Sequence, residues 1–428
     1  MPRARGARFG HQPANRMTVF TKSAPRVIAW MCAAHVASMA GIATYATLLP
    51  RLQDEWALNN SQAGLISGAF FGGYMAAVPL LSSLTDRVDA RRVYLVSSLV
   101  AGAALLTFAL LAQGVTSAAL LQVLAGAGIA GTYMPGLRAL TDNLQGTSTQ
   151  SRAVAFYTAV FGLGTSLSIF MAGQLADVQG WRSAFGFAAL GPLLAGAMVV
   201  AGLPPRKPAP GHASHVLDFR PVLRNREVRP YIFGYAVHCW ELFGSRSWLV
   251  AFIVFAQEFE GAGGAGPAAW SAVTIAAVAN LFGPPASIAG NEIAMRHGRE
   301  RWIWMAMLAS GLLTCALGFL AFLPWYLMAA LAMLHMSLIM GDSSALTAGL
   351  VTRADERIRG AAMAVHSMLG FGAGFVAPLV FGTVLDLAGG QASPFAWGLA
   401  FTSLGAGAIL MSAFVRARTV PGAAHRGG

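Results

Sequence analysis

The chain has 428 residues, of which 56% are hydrophobic and only 11% charged, and its mean hydropathy is +0.59. Soluble domains carry about a quarter charged residues, so this composition excludes an ordinary water-soluble enzyme and points to a chain solvated by lipid. The formal charge of +12 would suit a nucleic-acid surface, but the basic residues are dispersed between apolar runs along the whole length, which argues against a nucleic-acid partner.

A helix needs roughly 20 apolar residues to cross about 30 Å of hydrocarbon. Segments meeting that length lie at 27–49, 61–84, 92–113, 117–140, 152–175, 181–203, 230–255, 268–290, 302–323, 325–348, 359–386 and 395–416. Runs this long without period-2 alternation exclude barrel strands, and an open strand in lipid would leave backbone groups unpaired. The expected fold class is an all-α membrane protein of twelve spans. Span 1 follows basic residues, as a signal peptide does, but it is too long for one and eleven more spans follow. All 29 Lys and Arg residues except Arg51, Arg182 and Arg246 fall on one side of the membrane if the spans alternate. By the positive-inside rule that side is cytoplasmic, with both termini there, as in a bacterial inner-membrane protein.

The expected organisation is a basic tail (1–26), a first six-helix bundle (27–203), a cytoplasmic linker (204–229), a second six-helix bundle (230–416) and a short tail (417–428). The linker is marked by Pro204, Pro205, Pro208 and Pro210 followed by the basic run Arg220, Arg224, Arg226 and Arg229. Across it, short matches recur in order at an offset of roughly 200 residues. Ala139-Leu140-Thr141 returns as Ala345-Leu346-Thr347, Gly162-Leu163-Gly164 as Gly370-Phe371-Gly372, Asp177 as Asp386, His35 as His238 and Gly41 as Gly244. Two bundles related by duplication predict a cavity between them and alternating access by rocking.

In chain order, the first intramembrane ionisable residue is His35, which either lines that cavity or bonds to a neighbouring helix. The loop after span 2 reads Ser82-Ser83-Leu84-Thr85-Asp86-Arg87-Val88-Asp89-Ala90-Arg91-Arg92. Arg138 lies at the cytoplasmic end of span 4. Span 7 is the richest: Tyr235, His238, Trp240, Glu241 and Arg246 fall within one membrane depth range. Glu241 lies twelve residues beyond Arg229, about 18 Å along a helix and near the midplane. His238 and Glu241 share a face at i, i+3. Glu241 and Arg246, five apart, point about 140° from each other. An acid buried in a span is able to carry a proton, so Glu241, with His238, is the expected proton pathway, against the alternative of a structural polar cluster. Arg246 is expected to face a neighbouring helix or an anionic group of the substrate, or to snorkel. Trp240 is the aromatic candidate beside Glu241. Pro284-Pro285 predicts a kink near the cytoplasmic end of span 8. Asp342, near the cytoplasmic side of span 10, is expected to belong with Arg138 to a cytoplasmic gate or structural pair, with binding of a cation or substrate as the alternative. Gly370, Gly372, Gly374 and Pro378 make span 11 a closely packed, bendable helix.

The loop after span 8 reads Asn291-Glu292-Ile293-Ala294-Met295-Arg296-His297-Gly298-Arg299-Glu300-Arg301. Together with the Asp86-Arg87 loop it resembles the G-x-x-x-D-R-x-G-R-R loop of the major facilitator superfamily, with Ser82 and Asp89 in place of the two glycines, Ala90 in place of the first trailing basic residue, and Met295 where the second copy would carry Asp. That resemblance implies a cytoplasmic gate using Asp86 and Arg87, with Arg91 and Arg296 as its further basic members. It implies a secondary transporter whose partners are a small-molecule substrate and a coupling ion in a lipid bilayer. Span 5 lacks the proline of the family's exporters, which lends no support to drug-type efflux, the nearest alternative within transport.

No P-loop, HExxH or GxSxG pattern is present, and Cys32, Cys239 and Cys315 have no CxxC spacing. No cofactor, metal or enzymatic activity is therefore expected. The sequence reads as a monomeric, proton-coupled transporter of a small organic solute, with a preference for an anion from Arg246 and the intramembrane histidines. A receptor without turnover or a membrane-embedded enzyme stands as the alternative of another class.

Overall fold

The computed structural model describes residues 24–145, 149–206, 219–262 and 268–419. Arg3, Arg5, Arg8, Arg16, Lys22, Lys207 and Arg426, assigned above to the cytoplasmic side, lie outside the described residues, as does much of the expected linker. The described chain is helical without strands. Its spans run Ala24–Trp56, Asn60–Leu84, Ala90–Leu111, Val115–Asn143, Arg152–Gln179, Trp181–Gly202, Arg229–Gly261, Ala272–His297, Arg299–Leu320, Trp325–Arg353, Ile358–Leu387 and Pro394–Ala417. Most exceed the apolar runs because amphipathic ends remain wound into the interfacial layers, as at Asn291 to His297. Spans 1–6 and 7–12 form two six-helix bundles. Large apolar side chains face outward, where lipid is the solvent: Val178 is 81% exposed, Leu387 84% and Leu410 73%. An even number of spans brings both described ends of the chain to one face of the bundle, the termini face.

Close approach of the helices requires small residues. A Cβ on Gly126 would lie 1.8 Å from the Phe70 carbonyl oxygen, and one on Gly73 2.0 Å from that of Val123, so spans 2 and 4 touch backbone to backbone.

Three spans are interrupted in mid-membrane. Span 1 tightens to a 3-10 turn at Met39–Gly41 and restarts at Thr44. Freed backbone groups in lipid must find partners, and Ser168 of span 5 supplies them: its hydroxyl donates to Ala40 O at 2.7 Å and accepts from Ala43 N at 3.2 Å. Replacing it, Ser168→Ala, leaves Ala43 N unpaired and Ala40 O with only the 3.4 Å bond from Thr44 Oγ1, and is expected to cost about 2 kcal/mol. The check is the thermal unfolding midpoint in detergent, which should fall; an unchanged midpoint would show that Ser168 does not hold the break.

Span 8 breaks at Phe282, between helices Ala272–Leu281 and Gly283–His297. This corrects the expected kink near the cytoplasmic end. Pro284 and Pro285 cannot donate to the carbonyls of Asn280 and Leu281, one turn earlier, so the disruption falls before the prolines. Because the helix continues to His297, that point is near mid-span. Span 10 breaks at Gly341 and Asp342, where Trp302 Nε1 donates to the freed Gly341 O at 2.8 Å.

Candidate functional site

Between the two bundles lies a cavity lined by spans 1, 2, 4, 5, 7 and 8. Two of the breaks open onto it: Ile42 and Ala43 follow the 3-10 turn of span 1, and Asn280 precedes the break of span 8. Arg246 of span 7 projects into it beside Ser247 and Phe243. Of the orientations expected for Arg246, the structure selects the seam between the halves rather than snorkelling. Its Nε is enclosed and has no hydrogen-bond partner among the described residues.

Glu241, His238 and Trp240 turn away from this cavity into the second bundle. Glu241 is 2% exposed. Its Oε2 accepts from Ser310 Oγ at 3.0 Å and its Oε1 from Thr314 Oγ1 at 2.6 Å, both on span 9. Thr314 Oγ1 also lies 2.8 Å from His335 Nε2 on span 10. A hydroxyl has one proton, so the link from Glu241 through Thr314 to His335 Nε2 can run in two directions. With Glu241 ionised, Thr314 donates to it and accepts from His335 Nε2–H. With Glu241 protonated, the carboxyl donates to Thr314, which in turn donates to an unprotonated His335 Nε2. Glu241 is thus satisfied with or without its proton.

His238 does not join Glu241. Its Nδ1 lies 2.7 Å from Asp342 Oδ1, with the two side chains at 2% and 4% exposure, although the ring N–H is not aimed along that line. Asp342 therefore pairs with span 7, correcting the expected pairing with Arg138. It sits at the break of span 10, immediately before helix Ser343–Arg353, where a carboxylate is favoured by the helix dipole. Tyr235 packs between His238 and His366, its ring stacked on the latter at 3.8 Å. Trp240 Nε1 donates to Ser403 O of span 12 at 3.2 Å.

His35, fully buried, stacks on Tyr157 at 4.3 Å and contacts Tyr133. It lies outside the lining of the seam cavity, and neither ring nitrogen has a hydrogen-bond partner among the described residues. It is a member of an aromatic stack, which neither sequence expectation for it described.

At the termini face, Arg138 Nη1 lies 3.2 Å from Asp86 Oδ1 and its Nε 3.3 Å from Asp142, a partner the sequence reading missed. Arg91 Nη1 donates to the carbonyls of Val200 and Leu203 at the end of span 6. Arg87 and Arg296 are exposed. In the second bundle Arg353 pairs with Glu227 at 2.8 Å and reaches Glu300 at 3.8 Å.

The opposite face is closed across the seam. The start of span 2 leaves N–H groups without intrahelical partners. Asn59 accepts from Gln62 N at 2.8 Å, and Asp386, at the end of span 11, takes the others. Its Oδ1 accepts from Asn60 N at 3.0 Å and Nδ2 at 2.8 Å, and its Oδ2 from Ser61 N at 2.8 Å and Oγ at 2.6 Å. Gln391 Nε2 donates to Gln53 Oε1 at 2.8 Å and Asn60 Oδ1 at 2.6 Å. Asp177, the counterpart of Asp386, instead pairs with Arg51 inside the first bundle. Deeper in the seam, Tyr74 stacks on Phe371 at 3.8 Å, and Ser166 Oγ donates to Ala277 O at 2.5 Å. The repeat made Asp386 visible in sequence, but nothing there indicated that it crosses between the halves.

The profile of the Major Facilitator Superfamily matches residues 31–378. Similar solved structures include the nucleoside transporter NupG, with 12% identity, TM-score 0.78, and 92% of this chain and 100% of that one covered. A bacterial homologue of the human lysosomal transporter Spinster, inward-facing and occupied, has 15% identity, TM-score 0.71, and coverage of 92% and 97%. The POT family transporter PepTSo has 14% identity, TM-score 0.72, and coverage of 92% and 97%. At these identities the likeness is one of fold.

Proposed function

This chain belongs to the major facilitator superfamily, and from that premise we propose that it is a proton-coupled secondary transporter of a small organic solute. The solute occupies the seam cavity and the proton is carried by Glu241. The observation that carries the coupling is the Glu241–Thr314–His335 chain, which accommodates the acid in either protonation state inside an apolar bundle. A purely structural acid would need only one. Arg246 and Glu241 lie on the same helix but face different surroundings, the cavity and the bundle interior. Moving span 7 during rocking therefore acts on both, which is how solute and proton would be linked. The His238–Asp342 pair, at the break of span 10, is the second element of this pathway.

The termini face is the cytoplasmic face by the distribution of Lys and Arg, with both termini there, and a bacterial inner membrane is the proposed location. The conformation is then one sealed on the outer side by Asp386 and the first turn of span 2. Asp86, Arg138 and Asp142, with Arg87, Arg91 and Arg296 around them, form the proposed cytoplasmic gate. The protein works as a monomer, each chain holding its own cavity.

The experiment is solute flux in proteoliposomes under an imposed pH gradient. The expected result is solute movement that speeds collapse of the gradient. Flux that ignores the proton gradient and follows sodium overturns proton coupling, and solute binding without flux favours a receptor.

A further inference from the structure

The seam cavity has an unbalanced charge. Among the described residues, Arg246 is the only ionic side chain in its lining, and no carboxylate borders it. A guanidinium held at membrane depth without a counter-charge is costly, and the enclosed, unpartnered Nε shows that the protein does not supply one among the described residues. The remaining lining includes the polar side chains of Thr47, Ser67, Gln122, Thr165 and Ser247 and two further sets. Phe70, Phe71, Phe243, Ile169 and Val250 make an apolar wall. Asn280 and Tyr45 bring enclosed polar atoms without partners, Oδ1 and the phenol oxygen, while Asn280 Nδ2 is committed to Ala276 O at 2.9 Å.

Resting on the reading of this cavity as the solute site, we infer that the substrate is an organic monoanion: a single carboxylate on an apolar or aromatic body, with room for one hydroxyl or N–H donor. The carboxylate takes the planar fork of Arg246 in a bidentate pair, and the body lies on the phenylalanine wall. The donor meets Asn280 Oδ1. Each other charge class leaves a residue of imbalance. A cation would face Arg246, a neutral solute would leave it unpaired, and a dicarboxylate or phosphate monoester would bring a second negative charge to a wall that has no second cation.

The test is binding to the purified full chain in detergent, read as the shift in thermal midpoint with concentration. The probes are benzoate, 4-hydroxybenzoate, phenylacetate and hexanoate, against benzamide, benzylamine and phthalate. One or more monocarboxylates are expected to stabilise the protein at millimolar concentration, and the amide, amine and dicarboxylate to do so at least about tenfold less effectively. Arg246→Gln should weaken the carboxylate at least about tenfold, with Arg246→Lys intermediate because it keeps the charge and loses the fork. In the unsubstituted protein, modification of Arg246 by phenylglyoxal, followed by peptide mass spectrometry, should be slowed by the bound carboxylate, a readout that needs no variant to fold. Equal stabilisation by benzamide, preference for benzylamine or phthalate, no shift with any monocarboxylate, or unprotected Arg246 overturns the inference. Binding in detergent needs neither turnover nor a gradient, so carboxylate binding with no proton-coupled flux overturns the coupling proposal alone. Proton-coupled flux of a neutral or cationic solute overturns this inference alone.

Discussion

Glu241→Gln should fold, retain the seam cavity and lose uphill transport. Glutamine is the nearest isostere of the protonated acid, its Oε1 can still accept from Thr314, and Ser310 can accept from its amide, so packing around span 9 survives. What it cannot do is release a proton. A gradient of about one pH unit sustains about tenfold accumulation when one proton moves per solute, since that factor corresponds to about 1.4 kcal/mol. The expected result is collapse of that accumulation to about the equilibrium level, while exchange of solute down its own gradient continues. Thr314→Val, which interrupts the chain to His335 and leaves Glu241 in place, should reduce the rate of coupled transport and spare binding. Uphill accumulation by Glu241→Gln at the unsubstituted level would rule out Glu241 as the proton carrier.

The second large effect concerns the seal opposite the termini. Asp386 accepts two backbone and two side-chain hydrogen bonds from Asn60 and Ser61, and these exist only while the two bundles meet at this face. The carboxylate is exposed to water, which lowers its contribution towards that of an ordinary helix cap, about 1–2 kcal/mol. Asp386→Ala should therefore shift the conformational equilibrium towards opening at this face by about 5- to 30-fold. A cysteine at the cavity position Ser67, in a background where Cys32, Cys239 and Cys315 are replaced, reports this as faster labelling by a membrane-impermeant thiol reagent added on that side. Asp386→Asn, which keeps an acceptor and loses the charge, should fall between. Unaltered labelling would assign the seal to the close backbone packing of spans 2 and 11 at Gly64 and Gly68 instead.

Each span was legible because lipid imposes a one-dimensional rule, a run of apolar residues long enough to cross. The duplication was legible because repeated helices keep their order. Span 7 stood out because each ionisable residue in lipid is costly and therefore has a reason. Partners were another matter. His238 and Glu241 share a helix face, which suggested one cluster, yet His238 meets Asp342 on span 10 and Glu241 meets Thr314 on span 9. Periodicity places side chains on a helix but does not say which helix lies against that side. Asp342 and Arg138 failed as a pair for the same reason, since Arg138 is engaged by Asp86 and Asp142 within its own bundle.

By itself, then, the amino-acid sequence determined the membrane, the number of crossings, the twofold repeat and the helix that carries most of the polar chemistry. All of these follow from the cost of exposing polar groups to hydrocarbon, a property of composition along the chain. Only the tertiary structure decided that Arg246 faces the seam while Glu241 is enclosed in the second bundle, and that Asp386 closes one face when Asp177, its repeat counterpart, does not. Those outcomes depend on how the two bundles pack against each other, where a difference of one neighbour changes a residue's role and leaves no periodic trace.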